Sequence, residues 1–381
     1  MSLLDRSMTR RRASVVAAST AAAVATTRVL AAQEASPAAE GGEEGGGMPP
    51  LPEGAVVVAE ALWNPGNLAF GPDGTLYIAE TGVAGGDPSM MATPGVEGPA
   101  PLVAPQVSQV AADGTQSVLT TEAGGVGIAV YNGEVYVAAG GSSVGMGMLP
   151  FAGENTISAI SIESGDVRQV AELGSYEAEN NPDGTDINPN LYGLDITDDG
   201  TIYVADAGGN TIFSVDAATG EFALFAVVPN LTDLAGATPD AQMGARQPVP
   251  TSVVIDDGGY INVGLLSEFW EGPNLLAYAP DGTFTEGISG LSIIVNMAIG
   301  PDGLMYMSQL SADISGEQPA PGAVYRINAD GTPEAVVEGL FFPHGIAFDE
   351  AGNLFVTIFS IISGPDAPMG QVIRIDGIAA A

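Results

Sequence analysis

Short apolar runs interrupted by Gly/Asp turns recur along this chain, and NLAFGPDGTLYIAE at 67–80 sets the pattern. It reads as an apolar strand, a tight turn and a second, alternating strand that runs into a loop. The unit returns as GIAVYNGEVYVAA (127–139), GLDITDDGTIYVADA (193–207) and SVVIDDGGYINVGL (252–265). NMAIGPDGLMYMSQ (296–309) and GIAFDEAGNLFVTI (345–358) complete the set. Six copies at spacings of about 44 to 66 residues point to radial repetition, and propeller blades are repeats of that size. The expected fold is all-β, a six-bladed β-propeller.

Each copy continues to a third and fourth strand joined by a second tight turn, as in VSQVAADGTQSVLT (107–120) and NTIFSVDAATGEFALF (210–225). Asp-Gly and related pairs supply the positive φ that such hairpins require. The sixth copy ends after its third strand, QVIRID (371–376). AVVVAEAL (55–62) matches AVVEGL (335–340), the outer strand that precedes the sixth inner one. The N-terminal strand is therefore expected to complete the last blade and close the ring, which leaves only short sheet edges. The inner strands LAF, IAV, LDI, VVI, MAI and IAF are apolar on both sides, because each sheet face packs against a neighbouring blade. Asp195 in LDI interrupts this. A carboxylate there must be hydrogen-bonded, face the wet axial channel or carry a raised pKa. It reads either as a satisfied structural acid or as a functional one.

Composition narrows the partners. The chain has no Cys, which removes disulfides, thiol nucleophiles and thiolate metal ligands. All nine basic residues are Arg, against 46 acids. Such a surface repels nucleic acid and anionic lipid. Residues 1–31 carry Arg6, Arg10, Arg11 and Arg12, then an uncharged run from Ala13 to Thr27 and small residues before a cut after Ala31. The run is too short and too weakly apolar to span a bilayer. Paired arginines, with Arg28 near the cut, read as a twin-arginine signal; an ordinary secretory signal is the alternative. Removing 1–31 leaves four Arg against 45 acids, a charge of −41. Residues 32–54, acidic and rich in Gly and Pro, read as a disordered spacer, and 55–381 as one propeller. The mature chain is expected outside the cytoplasm with no membrane span.

YEAENNPDGTDINPNLYGLDI (176–196) followed by YVADAGGNTIFSVD (203–216) resembles the scytonemin-cluster ScyD/ScyE family. So do NPGNLAFGPDGTLYIAETG (64–82) and PVPTSVVIDDGGYINVGLLSEF (248–269). The likeness covers the whole mature chain. It implies an exported six-bladed propeller akin to NHL and gluconolactonase-type proteins, and it implies no particular reaction. This chain departs from that pattern at Asp195, where the family favours a small apolar residue, and at NLYGL, where relatives read closer to NPYGL.

Strand order sorts the connections. The short turns all fall on one face of the ring and every long connection on the other, where binding residues usually sit. The mouth on that face is expected to be lined by Gly66, Val126, Tyr192, Thr251, Val295 and His344, with Asn67 and Asn296 adjacent. These offer a hydroxyl, a phenol and an imidazole but no carboxylate. That argues against a metal-dependent lactonase, whose hard cation needs several converging oxygens. His344, the sole histidine, is a candidate base with Asp195 as helper. Streptogramin-lyase-type propellers, which use a histidine at the channel mouth, keep a lyase in view by analogy. Met-rich loops with Trp270 and Phe341 suit an aromatic or apolar ligand, or a partner protein. ENNPDGTDINPN (179–190) partly matches a calcium loop through Glu179, Asn181 and Asp183, with the acids Glu177 and Asp186 close by. It lacks the bidentate Glu at the last position and contains Pro182, so an Asx-turn is the competing reading. GSSVG (141–145) fits a hydrolase elbow but precedes a Gly/Met loop rather than a helix. The leading expectation is a binding propeller that uses Tyr192, His344, Trp270, Asn67, Asn296 and Thr251. A hydrolase or lyase and a calcium-stabilised surface protein are the alternatives.

Overall fold

The structure, a computed structural model, describes residues 49–83, 102–141, 153–233, 247–267, 274–289, 291, 293–313 and 319–380. Six four-stranded antiparallel sheets stand around an axis. Their inner strands are Pro65–Phe70, Gly127–Tyr131, Leu191–Ile196, Pro250–Ile255, Ile294–Ile299 and Ile346–Phe348. Blades are numbered 1 to 6 in that order. Consecutive inner strands adjoin one another and blade 6 returns to blade 1, so blades 3 and 6 face each other across the axis.

The closing strand lies where the sequence pattern puts it. Val56–Leu62 pairs antiparallel with Gly370–Ile375 as the outer strand of blade 6, in the register Val56↔Arg374, Val57↔Ile373, Ala59↔Val372 and Leu62↔Gly370. The ring is thus fastened by hydrogen bonds between the two ends of the chain.

Six separate apolar cores fill the wedges, one at each blade–blade contact. Leu68 and Ile78 of blade 1 pack against Phe355 and Val372 of blade 6. Phe213 and Leu194 of blade 3 pack against Tyr136 and Ile157 of blade 2. Because every blade lends both faces, the second strands Leu76–Glu80, Ile261–Leu265 and Leu354–Ile358 are buried along their whole length. Burying one such Leu, Ile or Phe side chain contributes roughly 1.5–3 kcal/mol.

The turns repeat one chemistry. Asp73 accepts the amide of Thr75, Asp199 that of Thr201, and Asp302 that of Leu304. On the outer hairpins Asp113, Asp281 and Asp330 accept the amides two residues on. These bonds favour the charged carboxylate and lower the pKa of Asp73, Asp113 and Asp199. One long connection differs from the loop expected: 174–192 opens with a short helix, Gly174–Asn180, which Asn181 ends in the left-handed conformation. Alternating polar residues in SYEAEN hid this helix; its inward side chains are Tyr176, which packs edge-on to Phe213, and Glu177, an acid.

Candidate functional site

The start of each inner strand comes within bonding reach of the next, and most side chains there are used to join blades. The amide of Asn67 bonds the Val126 carbonyl from blade 1 to blade 2, 2.8 Å. Thr251 Oγ1 donates to the Ile294 carbonyl, 2.7 Å, and Ser252 Oγ accepts the Met297 amide, 3.0 Å, both from blade 4 to blade 5. Asn296 Oδ1 accepts the Ile346 amide of blade 6, 2.9 Å. Thr357 Oγ1 donates to the Gly66 carbonyl and ties blade 6 to blade 1.

Thr251 and Asn296, expected in the mouth, are therefore buried and committed to neighbouring backbone. Asp195 is committed too: Oδ1 accepts the Ile196 amide at 2.8 Å, and Oδ2 accepts the Ile255 amide of blade 4 at 2.9 Å. Desolvation raises its pKa and those two bonds oppose the rise. Both of its oxygens are thus taken up by backbone amides.

Tyr192 and His344 do meet. The Tyr192 hydroxyl lies 2.7 Å from His344 Nε2, and the rings stack at 5.5 Å between centroids and 29° between planes. His344 Nδ1 lies 3.1 Å from Asn67 Oδ1. An amide oxygen can only accept, so Nδ1 carries the proton and Nε2 accepts the phenol's. The result is a polar crossbar, Asn67–His344–Tyr192, running from blade 1 through blade 6 to blade 3, over the axis. His344 is 4% exposed, and its backbone is pinned by the Thr357 carbonyl and the Ser308 hydroxyl. Burial opposes the imidazolium and pulls its pKa down to about 4. Burial likewise pushes the Tyr192 phenol up. At neutral pH both partners are uncharged.

The proposed calcium loop forms an Asx-turn. Asp183 Oδ1 accepts the Thr185 amide, and Oδ2 accepts the Thr185 hydroxyl and Asn210 Nδ2. Glu179 faces solvent on the short helix and does not converge with Asp183. Glu177, one helical turn away from Asn181, is fully buried instead. Its pKa is pushed up to about 8, by burial first and then by Asp206 and Asp183. Asp206, on the second strand of blade 3, is pushed up to about 6 by burial. Sequence reading missed Asp206 because it lies within a strand, 29 residues beyond Glu177. Among the described residues no three His, Cys, Asp or Glu side chains group as a metal cluster. Trp270 and the elbow-like 142–145 lie outside the described residues, as do most loop methionines. Phe341 and Met369 pack against the core between blades 5 and 6. No helix among the described residues is long and apolar enough to cross a membrane.

No family profile matches this sequence, and no curated protein does. Solved structures do resemble it. A gluconolactonase from Xanthomonas campestris superposes with a TM-score of 0.54 at 13% identity, over 84% of this chain and 89% of its own. Agrobacterium tumefaciens regucalcin, a calcium-binding protein, gives 0.52 at 15% identity over 84% and 94%. A streptogramin B lyase gives 0.48 at 13% identity over 84% and 95%. At these identities the likeness shows the fold alone: this chain is a propeller of the NHL and gluconolactonase-like type.

Proposed function

We propose that this chain is an exported propeller that binds a small aromatic or apolar molecule on its long-loop face, against the Asn67–His344–Tyr192 crossbar. The observation that carries this reading is the crossbar itself, in which all three polar groups are paired and uncharged. A flat, neutral floor of stacked rings with one exchangeable phenol proton suits an aromatic ligand that brings a single polar group. The strong negative charge of the chain disfavours anionic ligands there. The twin-arginine motif supports export.

The test uses the fact that this is the sole histidine. Its imidazole Hε1 signal is followed by NMR while neutral aromatic probes such as phenol and indole are added. A saturable shift is expected, weakened about tenfold in Tyr192→Ala, equivalent to about 1.4 kcal/mol. If probes raise the melting temperature without moving that signal, they bind elsewhere and the reading is wrong.

One observation favours a second reading, a hydrolase or lyase with His344 as base. Nε2 bonds the Tyr192 hydroxyl, so a substrate displacing Tyr192 would meet a neutral imidazole. With Asp195 bonded to backbone, the helper would have to be a loop carboxylate. Turnover of a lactone or ester panel, lost in His344→Gln while the fold persists, would establish it; unchanged turnover would remove it.

A further inference from the structure

The described residues contain seven buried side-chain oxygens with no hydrogen-bond partner, and six of them lie in one place. They are both Glu177 oxygens, Asp206 Oδ2, Asn181 Oδ1, Asn188 Oδ1 and Thr211 Oγ1. All come from the 174–190 connection and the Asp206–Thr211 hairpin that it covers. Glu177 is 0% exposed and so is Asp206.

Several contacts show the convergence. A Cβ on Gly209 would stand 3.0 Å from Asp206 Oδ2 and 3.1 Å from Glu177 Oε2, so both carboxylates face the space that this glycine leaves open. Gly208 lies against Asn188. Thr211 is the cross-strand partner of Asp206. Asn181 closes the Glu177 helix through its amide, and Asn210 holds the Asp183 turn beside it.

The chemistry of this set is one-sided. Asp206 Oδ1 already takes three amides, from Asn190, Gly208 and Gly209, an arrangement that suits a charged carboxylate. Five of the six orphan atoms are carboxylate or side-chain amide oxygens, which accept and cannot donate. A shared proton would serve two carboxylate oxygens and leave the asparagines unanswered. The three arginines among the described residues are engaged elsewhere: Arg168, Arg326 and Arg374 pair with Glu134, Glu334 and Asp376. Burying such acceptors without a partner is costly.

We infer that Glu177, Asp206, Asn181 and Asn188 form a binding site for a hard divalent cation, with Thr211 completing the shell. Two carboxylates and several neutral oxygens fit calcium, which takes six to eight oxygens, better than magnesium, which demands a tight octahedron. The site lies off the axis beside blade 3. It uses Asn181 from the loop that resembles an EF-hand but replaces the loop's own acids by one helix acid and one strand acid.

The mature chain, stripped with a chelator, is titrated with Ca²⁺ alone by calorimetry and its melting temperature followed with Ca²⁺ or Mg²⁺. One Ca²⁺ per chain and a rise in melting temperature are expected, with a smaller response to Mg²⁺. Glu177→Gln should lose at least tenfold in affinity while its chelated form melts no lower than wild type, since it removes a charge from beside Asp206. Glu179→Gln and Asp186→Asn should bind as wild type. No heat and no thermal shift with either ion, or Ca²⁺ binding untouched by Glu177→Gln, would overturn the inference. Should Asp206→Asn fail to fold, as the loss of a three-amide acceptor allows, Glu177→Gln carries the test alone.

Discussion

The His344 imidazole makes a measurable statement about pH. Its pKa is about 4 in the folded ring and about 6.5 in an unfolded chain. Above pH 6.5 neither state holds the proton and the group contributes no difference. As the pH falls from 6.5 to 4 the unfolded chain takes up a proton that the folded one refuses, so stability is lost through that window. The shift corresponds to about 3 kcal/mol. Denaturant unfolding of wild type and His344→Gln at pH 7 and pH 4 should therefore show the wild-type advantage shrinking by about that amount. The Hε1 signal should stay at its neutral position until near pH 4, and a midpoint near 6.5 would contradict the buried crossbar. Tyr192 and His344 could be picked from sequence because both stand two positions before an apolar run in a repeat whose period was visible. Asp206 could not, and Glu177 stood out only as an acid beside the partial calcium loop, since what singles both out is an absence of partners, which exists only once the loop is laid over the hairpin.

At the scale of the strand, two devices bring neighbouring blades close. In blades 2, 3 and 6 a glycine faces the next blade: a Cβ on Gly127 would run into the Tyr192 carbonyl oxygen, one on Gly193 would stand 2.6 Å from that of Thr251, and one on Gly345 would run into that of Gly66. In blades 4 and 5 the corresponding Ser252 and Asn296 reach out instead and bond the next strand's amide. Gly193→Ala should then cost about 1–3 kcal/mol by forcing backbone apart. Ser252→Ala should cost a similar amount for another reason, the Met297 amide being left buried without an acceptor. Chemical denaturation distinguishes the two in combination with Met297: only the Ser252 effect should fall when the amide is removed from competition by Met297→Pro, a change otherwise damaging in its own right. The repeat wording announced an inner strand at each of these places. It could not say that Thr251 and Ser252 would both bond the next blade, because that depends on the stagger between sheets rather than on alternation within one. Thr251 was accordingly expected in the mouth and is found joining blades.

The whole ring depends on a joint between distant parts of the chain. Val56–Leu62 is the outer strand of blade 6, and its Ala59 and Leu62 belong to the core shared by blades 6 and 1. Removing residues up to 62 would strip Gly370–Ile375 of its partner and expose a row of unpaired backbone groups, an edge suited to pairing with a second chain. It would also open one wedge to water, in an architecture where each of the six cores is shared between two blades and none can be lost privately. A chain beginning at Trp63 should thus melt several degrees below the full chain, given roughly 1.5 °C per kcal/mol for a propeller of over 300 residues, and should form oligomers in light scattering. The last blade should be cut first in limited proteolysis, near 346–376, while the three blades opposite resist longer. If the shortened chain instead kept its melting temperature and stayed monomeric, the ring would be held by its axial bonds alone. The Tyr192–His344 contact provides the internal control, because it spans blades 3 and 6. Its imidazole signal should shift when the outer strand is missing even though neither residue touches that strand, since blade 6 can hold its place over the axis only while both of its neighbours are pressed against it.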